Sequence, residues 1–182
     1  AALAERVRAL AVGEPGREDV TVGPLIDAAA VEEFEGRVAA ALDSGAGELA
    51  RAEAPAGAPG HFVAPALLGE DDPGAEVNQL ETFAPLLTLL RVDDVESAVA
   101  AANATRFGLV GAVHGRDLGQ ARAVAAELEC GMRRINAPTP GVDYYAPFGG
   151  DGLSGFGPRE QGRAARDFFT AARTTTIVPP SP

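Results

Sequence analysis

The middle of the chain alternates strand-like and helix-like segments, and this alternation restricts the fold more than any other sequence feature. Residues 86–92 (LLTLLRV) form a nearly continuous apolar run, which is typical of a strand buried on both faces. Residues 109–114 and 132–136 give two further strands. Asp93 and Asp117, each followed three residues later by Glu or Gln, begin the intervening helices. The pattern predicts an α/β fold with a Rossmann-like parallel sheet and flanking helices.

The two ends of the chain carry further signals for regular structure. The expected elements are a helix over 1–12, a helix capped by Asp27 and ended by Gly45, a short strand over 48–52, a strand over 61–68 and a helix over 159–172. Pro65 predicts that the strand over 61–68 lies at an edge or ends early, because proline cannot donate to the hydrogen-bond ladder.

Residues 133–162 are rich in glycine and aromatic side chains. They hold seven of the 22 glycines, both tyrosines, and two of the eight phenylalanines. Glycine permits unusual backbone angles, and aromatic rings contribute large buried areas. The segment is therefore expected to form an ordered loop wall. It is not a phosphate-binding loop, since it lacks both the G-K-[ST] ending and the G-x-G-x-x-G spacing.

Several short motifs occur in a fixed order along the chain. They are GPLID at 23–27, ETFAP at 81–85, ANATRFGL at 102–109, NAPT at 136–139, PFGG at 147–150 and SGFGPREQG at 154–162. Together they resemble the NAD(P)-dependent aldehyde dehydrogenase superfamily. The resemblance covers essentially the whole chain but corresponds to the carboxy-terminal portion of a family member. The residues of these motifs are closest to those of the branch that acts on 2-oxoglutarate semialdehyde.

The resemblance implies a site for NAD or NADP. In the family's E-x-F motif, which matches Glu81 and Phe83, the carboxylate binds the nicotinamide ribose hydroxyls and the aromatic ring lies beside the nicotinamide. Leu109 matches a position near the cofactor. Leu80 and Ala84 depart from the family, which often has an acidic residue and a glycine there. Without the resemblance, Glu81 would be read as a surface glutamate before a strand, and Leu109 as a buried strand residue.

The resemblance also implies a site for a small-molecule aldehyde. Pro138, Thr139 and Phe148 match positions that line the family's aldehyde tunnel, although packing within the loop would explain them equally well. Asn136 is expected to hold this loop by hydrogen bonds to the backbone.

The attacking group is expected to lie outside the chain. The family's reaction runs through attack of a cysteine thiolate on the aldehyde, hydride transfer to NAD(P)+ and thioester hydrolysis. Both the nucleophile and the general-base glutamate correspond to positions upstream of this sequence. Cys130 follows Glu127 and Glu129 at a predicted helix end, where the helix dipole and the acidic neighbours disfavour a thiolate. Cys130 is therefore expected to be structural, and the chain alone is expected to be inactive.

Composition excludes several partners. The net charge is −11 and all 15 basic residues are arginine, so nucleic acid and anionic membranes are not expected partners. His61 and His114 have no metal-ligand spacing, so no metal site is expected. One cysteine, no signal-peptide pattern and no long apolar run favour a cytoplasmic location.

The carboxyl end is expected to be separate from the catalytic domain. Residues 1–172 are predicted to form an α/β catalytic domain that is incomplete at its amino terminus, and residues 173–182 to form an oligomerisation strand and tail. The run TTTIV at 174–178 favours a strand, which needs a pairing partner. The resemblance implies that this strand joins a homo-oligomer. The alternative is a non-catalytic assembly module derived from the family.

Overall fold

The computed structural model describes residues 1–141 and 143–180. The chain divides into two compact units, Ala1–Thr105 and Arg106–Pro182, which are described separately below.

The first unit contains one mixed sheet and four helices. Its elements are α1 (Ala2–Arg8), α2 (Ala28–Asp43), β1 (Gly47–Arg51), β2 (Ala66–Gly69), α3 (Glu76–Gln79), β3 (Leu86–Leu89) and α4 (Val95–Asn103). The strand order is β1-β2-β3, with β1 antiparallel and β3 parallel to the central strand β2.

The core of the first unit is formed around β2. Neighbouring side chains of a strand point to opposite faces, and here both faces are covered. Leu67 packs with Val7 of α1, whereas Leu68 packs with Ala41 of α2. Next to this contact, Phe34 of α2 is fully buried and packs on the start of β2. The helix α2 begins where the Asp27 carboxylate accepts a hydrogen bond from the Ala30 backbone at 2.8 Å, as predicted.

The second unit contains the predicted strand–helix–strand crossover. Its elements are β4 (Phe107–Gly108), β5 (Val110–Val113), α5 (Leu118–Ala126), β6 (Met132–Ile135), β7 (Asp151–Gly152) and α6 (Ala164–Phe169). The strands β5 and β6 are parallel and are joined through α5, while β4 and β7 form a small antiparallel pair. Ala121, Ala125 and Leu128 are buried on one side of α5 and its extension.

The α/β class and its parallel pairs are confirmed, but the parallel sheet predicted for the middle of the chain is not continuous, since β3 pairs with β2 and β5 pairs with β6. β1 and β7 both pair antiparallel. The predicted strand over 86–92 shortens to β3, whose Leu87 and Leu89 side chains are 49% and 38% exposed, so it is not buried on both faces. Leu86, on the opposite face, packs against the clusters that contain Phe34 and Leu68, so only one face of β3 is covered. Pro65 lies directly before β2 and does not end it. At that position no backbone N–H is needed for the hydrogen bonds between strands.

Two helix boundaries differ from the predictions. The cap of α4 is Asp94, not Asp93, because the Asp94 carboxylate accepts from the Ser97 backbone at 2.7 Å. The helix predicted over 159–172 shortens to α6, since Gln161 and Gly162 have φ values of +67° and +52°, which a right-handed helix excludes.

The single chain has no strand where one is predicted at its carboxyl end, so the oligomerisation strand stays a prediction. The structure assigns neither helix nor strand to residues 170–180. A strand needs a neighbouring edge for its backbone groups, and this segment has none within the described chain. Residues 181 and 182, at the end of the predicted tail, lie outside the described residues. Within those residues, no helix has the length and apolar character needed to cross a bilayer.

Replacement of the core ring of Phe34 by alanine should destabilise the first unit strongly. Loss of a fully buried Phe side chain costs about 3–5 kcal/mol in the free energy of unfolding, measured by urea titration. The matched control is Phe83→Ala, whose ring is 86% exposed and whose removal should change stability by less than about 0.5 kcal/mol. Equal losses for the two variants would contradict this description of the core.

The cap of α4 should make stability depend on pH. Hydrogen bonds from the Ser97 backbone and side chain hold the pKa of Asp94 below its ordinary value of 3.8. The stabilisation is therefore complete above pH 3.8 and is lost as the pH falls through the lowered pKa of the folded state. Thermal unfolding between pH 5 and 2 should show a weaker acid dependence for Asp94→Asn. Asp93→Asn should show the same acid dependence as the wild type. A weaker acid dependence for Asp93→Asn than for Asp94→Asn would contradict the assignment of Asp94 as the cap.

Candidate active-site walls

The segment between α3 and β3 presents Glu81 and Phe83 on a tightly turned backbone. The Ala84 amide donates to the Thr82 carbonyl at 2.8 Å, and the Leu86 amide donates to the Ala84 carbonyl at 2.8 Å. Each bond closes a three-residue turn, so two such turns follow one another directly. The predicted pair therefore lies on a single constrained segment.

This turn is fixed to the core of the first unit. Ala84 and Leu86 pack against the cluster that contains Phe34, and the Ala66 amide of β2 donates to the Pro85 carbonyl at 3.0 Å. The side chain of Phe83 is nevertheless 86% exposed. An aromatic ring held in water by an ordered backbone leaves its whole apolar face available for a ligand or another protein surface.

Glu81 is also exposed, and its carboxylate makes no hydrogen bond or ion pair with the described residues. An ionised carboxylate accepts hydrogen bonds at two oxygens, which suits the two neighbouring hydroxyls of a sugar. The carboxylate and the ring of Phe83 together therefore suit a ligand that joins a sugar to a planar heteroaromatic ring.

In the second unit, Asn136 joins the carboxyl ends of β5 and β6. Its side chain forms two bonds with Gly115, accepting from the amide and donating to the carbonyl, both at 2.9 Å. Asn136 has φ +53°, which asparagine tolerates better than most residues. These bonds confirm that Asn136 holds the loop through the backbone. In parallel α/β sheets this edge is where ligands bind.

Pro138 and Thr139 follow Asn136 in this loop, and both side chains are exposed. Leu109 lies between β4 and β5, where its carbonyl accepts from the Met132 amide at 3.0 Å. Its side chain is 37% exposed, so it is not the fully buried strand leucine of the alternative interpretation.

Phe148 lies in the glycine-rich wall and is half-buried. Its backbone exchanges two hydrogen bonds with Glu160, with the Phe148 amide donating at 2.6 Å and the Glu160 amide at 3.0 Å. Arg159 crosses the same wall, bonding to the Gly150 carbonyl and to the Asp151 carboxylate at 2.5 Å. The wall is therefore ordered, as predicted.

Close backbone contacts explain some of the glycines. A Cβ added to Gly131 would lie 2.0 Å from the Gly149 carbonyl oxygen, and one added to Gly155 would lie 2.2 Å from the Gly150 carbonyl oxygen. Only glycine permits these approaches without displacing the backbone.

Cys130 lies four residues beyond the end of α5, so it is not at the helix terminus that the sequence indicated. Its thiol is half-buried and donates to the Met132 carbonyl at 3.1 Å. The described residues contain no group of three His, Cys, Asp or Glu side chains that could hold a metal ion.

The geometry groups the predicted site residues by unit. In the first unit Phe83 lies within the first of the two turns and Glu81 directly precedes it, whereas Leu109, Phe148 and the loop of Pro138 and Thr139 belong to the second unit. Sequence reasoning missed Arg134, which bonds to Gly141, and Arg159 as residues that hold these loops. For Arg134, the available signal was an arginine within an otherwise strand-like segment.

Comparison with known proteins identifies the family. The model of the aldehyde dehydrogenase family matches residues 1–175. The chain belongs to the aldehyde dehydrogenase family.

Relatives of this aldehyde dehydrogenase chain have both sequence and structure in common with it. Alpha-ketoglutaric semialdehyde dehydrogenase of Bacillus subtilis is 32% identical over 97% of this chain and 37% of the relative. Succinate-semialdehyde dehydrogenase of Deinococcus radiodurans, whose name specifies NADP+, is 38% identical over 85% of this chain and 32% of the relative. The crystal structure of a Mycobacterium tuberculosis aldehyde dehydrogenase complexed with NAD+ matches with a TM-score of 0.86 and 31% identity, over 93% of this chain and 35% of that one.

The aldehyde dehydrogenase chain thus spans about a third of the length of these relatives. The placement of the chain in the carboxy-terminal portion of a family member, inferred from the order of motifs, stays a prediction.

Replacement of Asn136 should separate its two contributions to the loop. Asn136→Ala loses both bonds to Gly115 and places an unfavourable residue at positive φ, so we expect a loss of about 1–3 kcal/mol in the free energy of unfolding. Asn136→Gly loses the same bonds but accepts the backbone angle, so its loss in a urea titration should be smaller. If Asn136→Gly lost as much free energy of unfolding as Asn136→Ala, or more, the positive φ at this position would not contribute to the loss.

Proposed function

We propose that this chain provides the nicotinamide-positioning and aldehyde-lining walls of an NAD(P)-dependent aldehyde dehydrogenase that oxidises an aldehyde to a carboxylate. The observation that supports it most strongly is the family match over residues 1–175, together with an E-x-F turn whose two side chains are both exposed. A cytoplasmic location belongs to the same proposal, supported by the single cysteine.

Glu81 and Phe83 are proposed to hold the nicotinamide end of NAD or NADP. The residues fit this group because the unpaired carboxylate can accept from both ribose hydroxyls while the exposed ring covers one side of the nicotinamide. When bound, the cofactor supplies the hydride acceptor for the oxidation. The contribution of these two side chains is orientation, since the backbone at Phe83 is fixed by a hydrogen-bonded turn that begins directly after Glu81.

Pro138, Thr139 and Phe148 are proposed to line the passage of the aldehyde, with Leu109 on the cofactor side. The two ordered loops support this role, because a wall that is fixed before binding loses little entropy when the substrate arrives. A semialdehyde is the first candidate substrate, supported by the names of the two semialdehyde dehydrogenases that resemble the chain.

The nucleophilic cysteine and the general base are proposed to come from residues outside this sequence. Cys130 is unsuited to the nucleophilic role because its thiol is half-buried and donates to a backbone carbonyl. Under this proposal the 182-residue chain alone oxidises no aldehyde, and turnover requires a polypeptide that also carries those two groups.

A second candidate function is that of an assembly module. Ile177 and Val178 are 85% and 80% exposed on a terminal segment without regular structure, and this exposure favours pairing with another chain. The same segment would also pair the subunits of a homo-oligomeric enzyme. Removal of residues 173–182 followed by light scattering tests the pairing, and aldehyde oxidation by the complete polypeptide distinguishes the enzyme from the module.

Substitution at the E-x-F turn should weaken cofactor binding without unfolding the protein. In the complete polypeptide, Glu81→Gln should raise the Kd for NAD+ or NADP+ about tenfold to a hundredfold, because it removes a charge-assisted hydrogen-bond acceptor. The matched control is Glu32→Gln at an exposed position of α2. Isothermal titration calorimetry gives both constants, and unchanged affinity for Glu81→Gln would overturn the assigned role.

A further inference from the structure

The loop after β6 is anchored at both of its ends. At its start, Asn136 bonds to Gly115 through its side chain. At its far end, a guanidinium N–H of Arg134 donates to the carbonyl oxygen of Gly141. Gly141 has φ +103°, an angle that glycine adopts without strain. Pro138 and Thr139 lie between the two anchors.

Arg134 and its neighbour Arg133 lie on opposite faces of β6. The Arg133 guanidinium donates to the Leu128 carbonyl, at 3.0 and 2.7 Å, on the side of the α5 extension. Because side chains alternate along a strand, Arg134 leaves from the opposite face. It is half-buried and forms no ion pair with the described residues. The contact made by Arg134 is therefore with the loop backbone and not with a carboxylate.

We propose that Arg134 is a positioning residue for the aldehyde site. Its bond to Gly141 fixes the loop that carries Pro138 and Thr139, so that this wall has its working shape before the substrate binds. The inference rests on the proposed function, because only that function makes the two loop residues part of an aldehyde passage. A displaced wall would misorient the aldehyde, whereas the binding of the dinucleotide by Glu81 and Phe83 would not change.

The tyrosines provide a direct signal for the loop in the 182-residue chain. Tyr144 and Tyr145 are its only tyrosines and there is no tryptophan, so tyrosine fluorescence comes from the segment just beyond Gly141. The variant Arg134→Gln should lower the fluorescence anisotropy while the far-ultraviolet circular dichroism stays unchanged. Arg134→Lys, which retains a donor, should restore part of the anisotropy. The matched control is Arg133→Gln, which should leave the anisotropy at the wild-type value.

Kinetics of the complete polypeptide give the second test. Arg134→Gln should lower kcat/KM for the aldehyde, measured with succinate semialdehyde, on the order of tenfold to a hundredfold while the KM for the dinucleotide stays the same. A merely structural defect would change both. Unchanged anisotropy, an equal effect of Arg133→Gln or an unchanged kcat/KM would overturn the role of Arg134. If the wild-type polypeptide oxidised no aldehyde, the proposed function itself would fail, and the aldehyde role of the loop with it.

Discussion

The burial of β2 on both faces is the interaction on which the first unit depends. Leu67 and Leu68 point in opposite directions, and each meets a different helix, so one short strand fixes α1 and α2 at once. The same strand supports the exposed turn, because its Ala66 amide bonds to Pro85 and its neighbours pack against Ala84. Exposed side chains can be presented precisely only when the backbone beneath them is fixed, and here the hydrophobic core provides that support.

The second unit obtains its order mainly from close backbone contacts. Gly131 and Gly155 allow carbonyl groups to approach closer than any side chain would permit, and Arg159 joins the resulting loops through a carbonyl and a carboxylate. Few of its large apolar side chains are buried. Exposed residues such as Phe156 and Phe169 are typical of surfaces that contact other protein.

Several elements were predictable because their signals are local. The Asp27 and Asp117 caps were correct, since a carboxylate at that position bonds to the backbone three residues later whatever surrounds it. The hydrogen bonds of Asn136 were expected for a similar reason. The choice between Asp93 and Asp94 failed because neighbouring aspartates give the same pattern. Arg134 and Arg159 were missed as loop anchors because each donates to a backbone carbonyl, which no motif records, although Arg159 also pairs with the Asp151 carboxylate.

The sequence alone determined the family and the α/β class, and it predicts the residues that the family's motifs match to the cofactor and the aldehyde. These depend on residue identity and spacing, which are written in the chain. Only the tertiary structure decided which strands lie at an edge, which glycines are required by carbonyl contacts, and which side chains remain in water. Those properties depend on how distant segments pack, and the same apolar run is buried or half-exposed according to the neighbours that the fold brings to it.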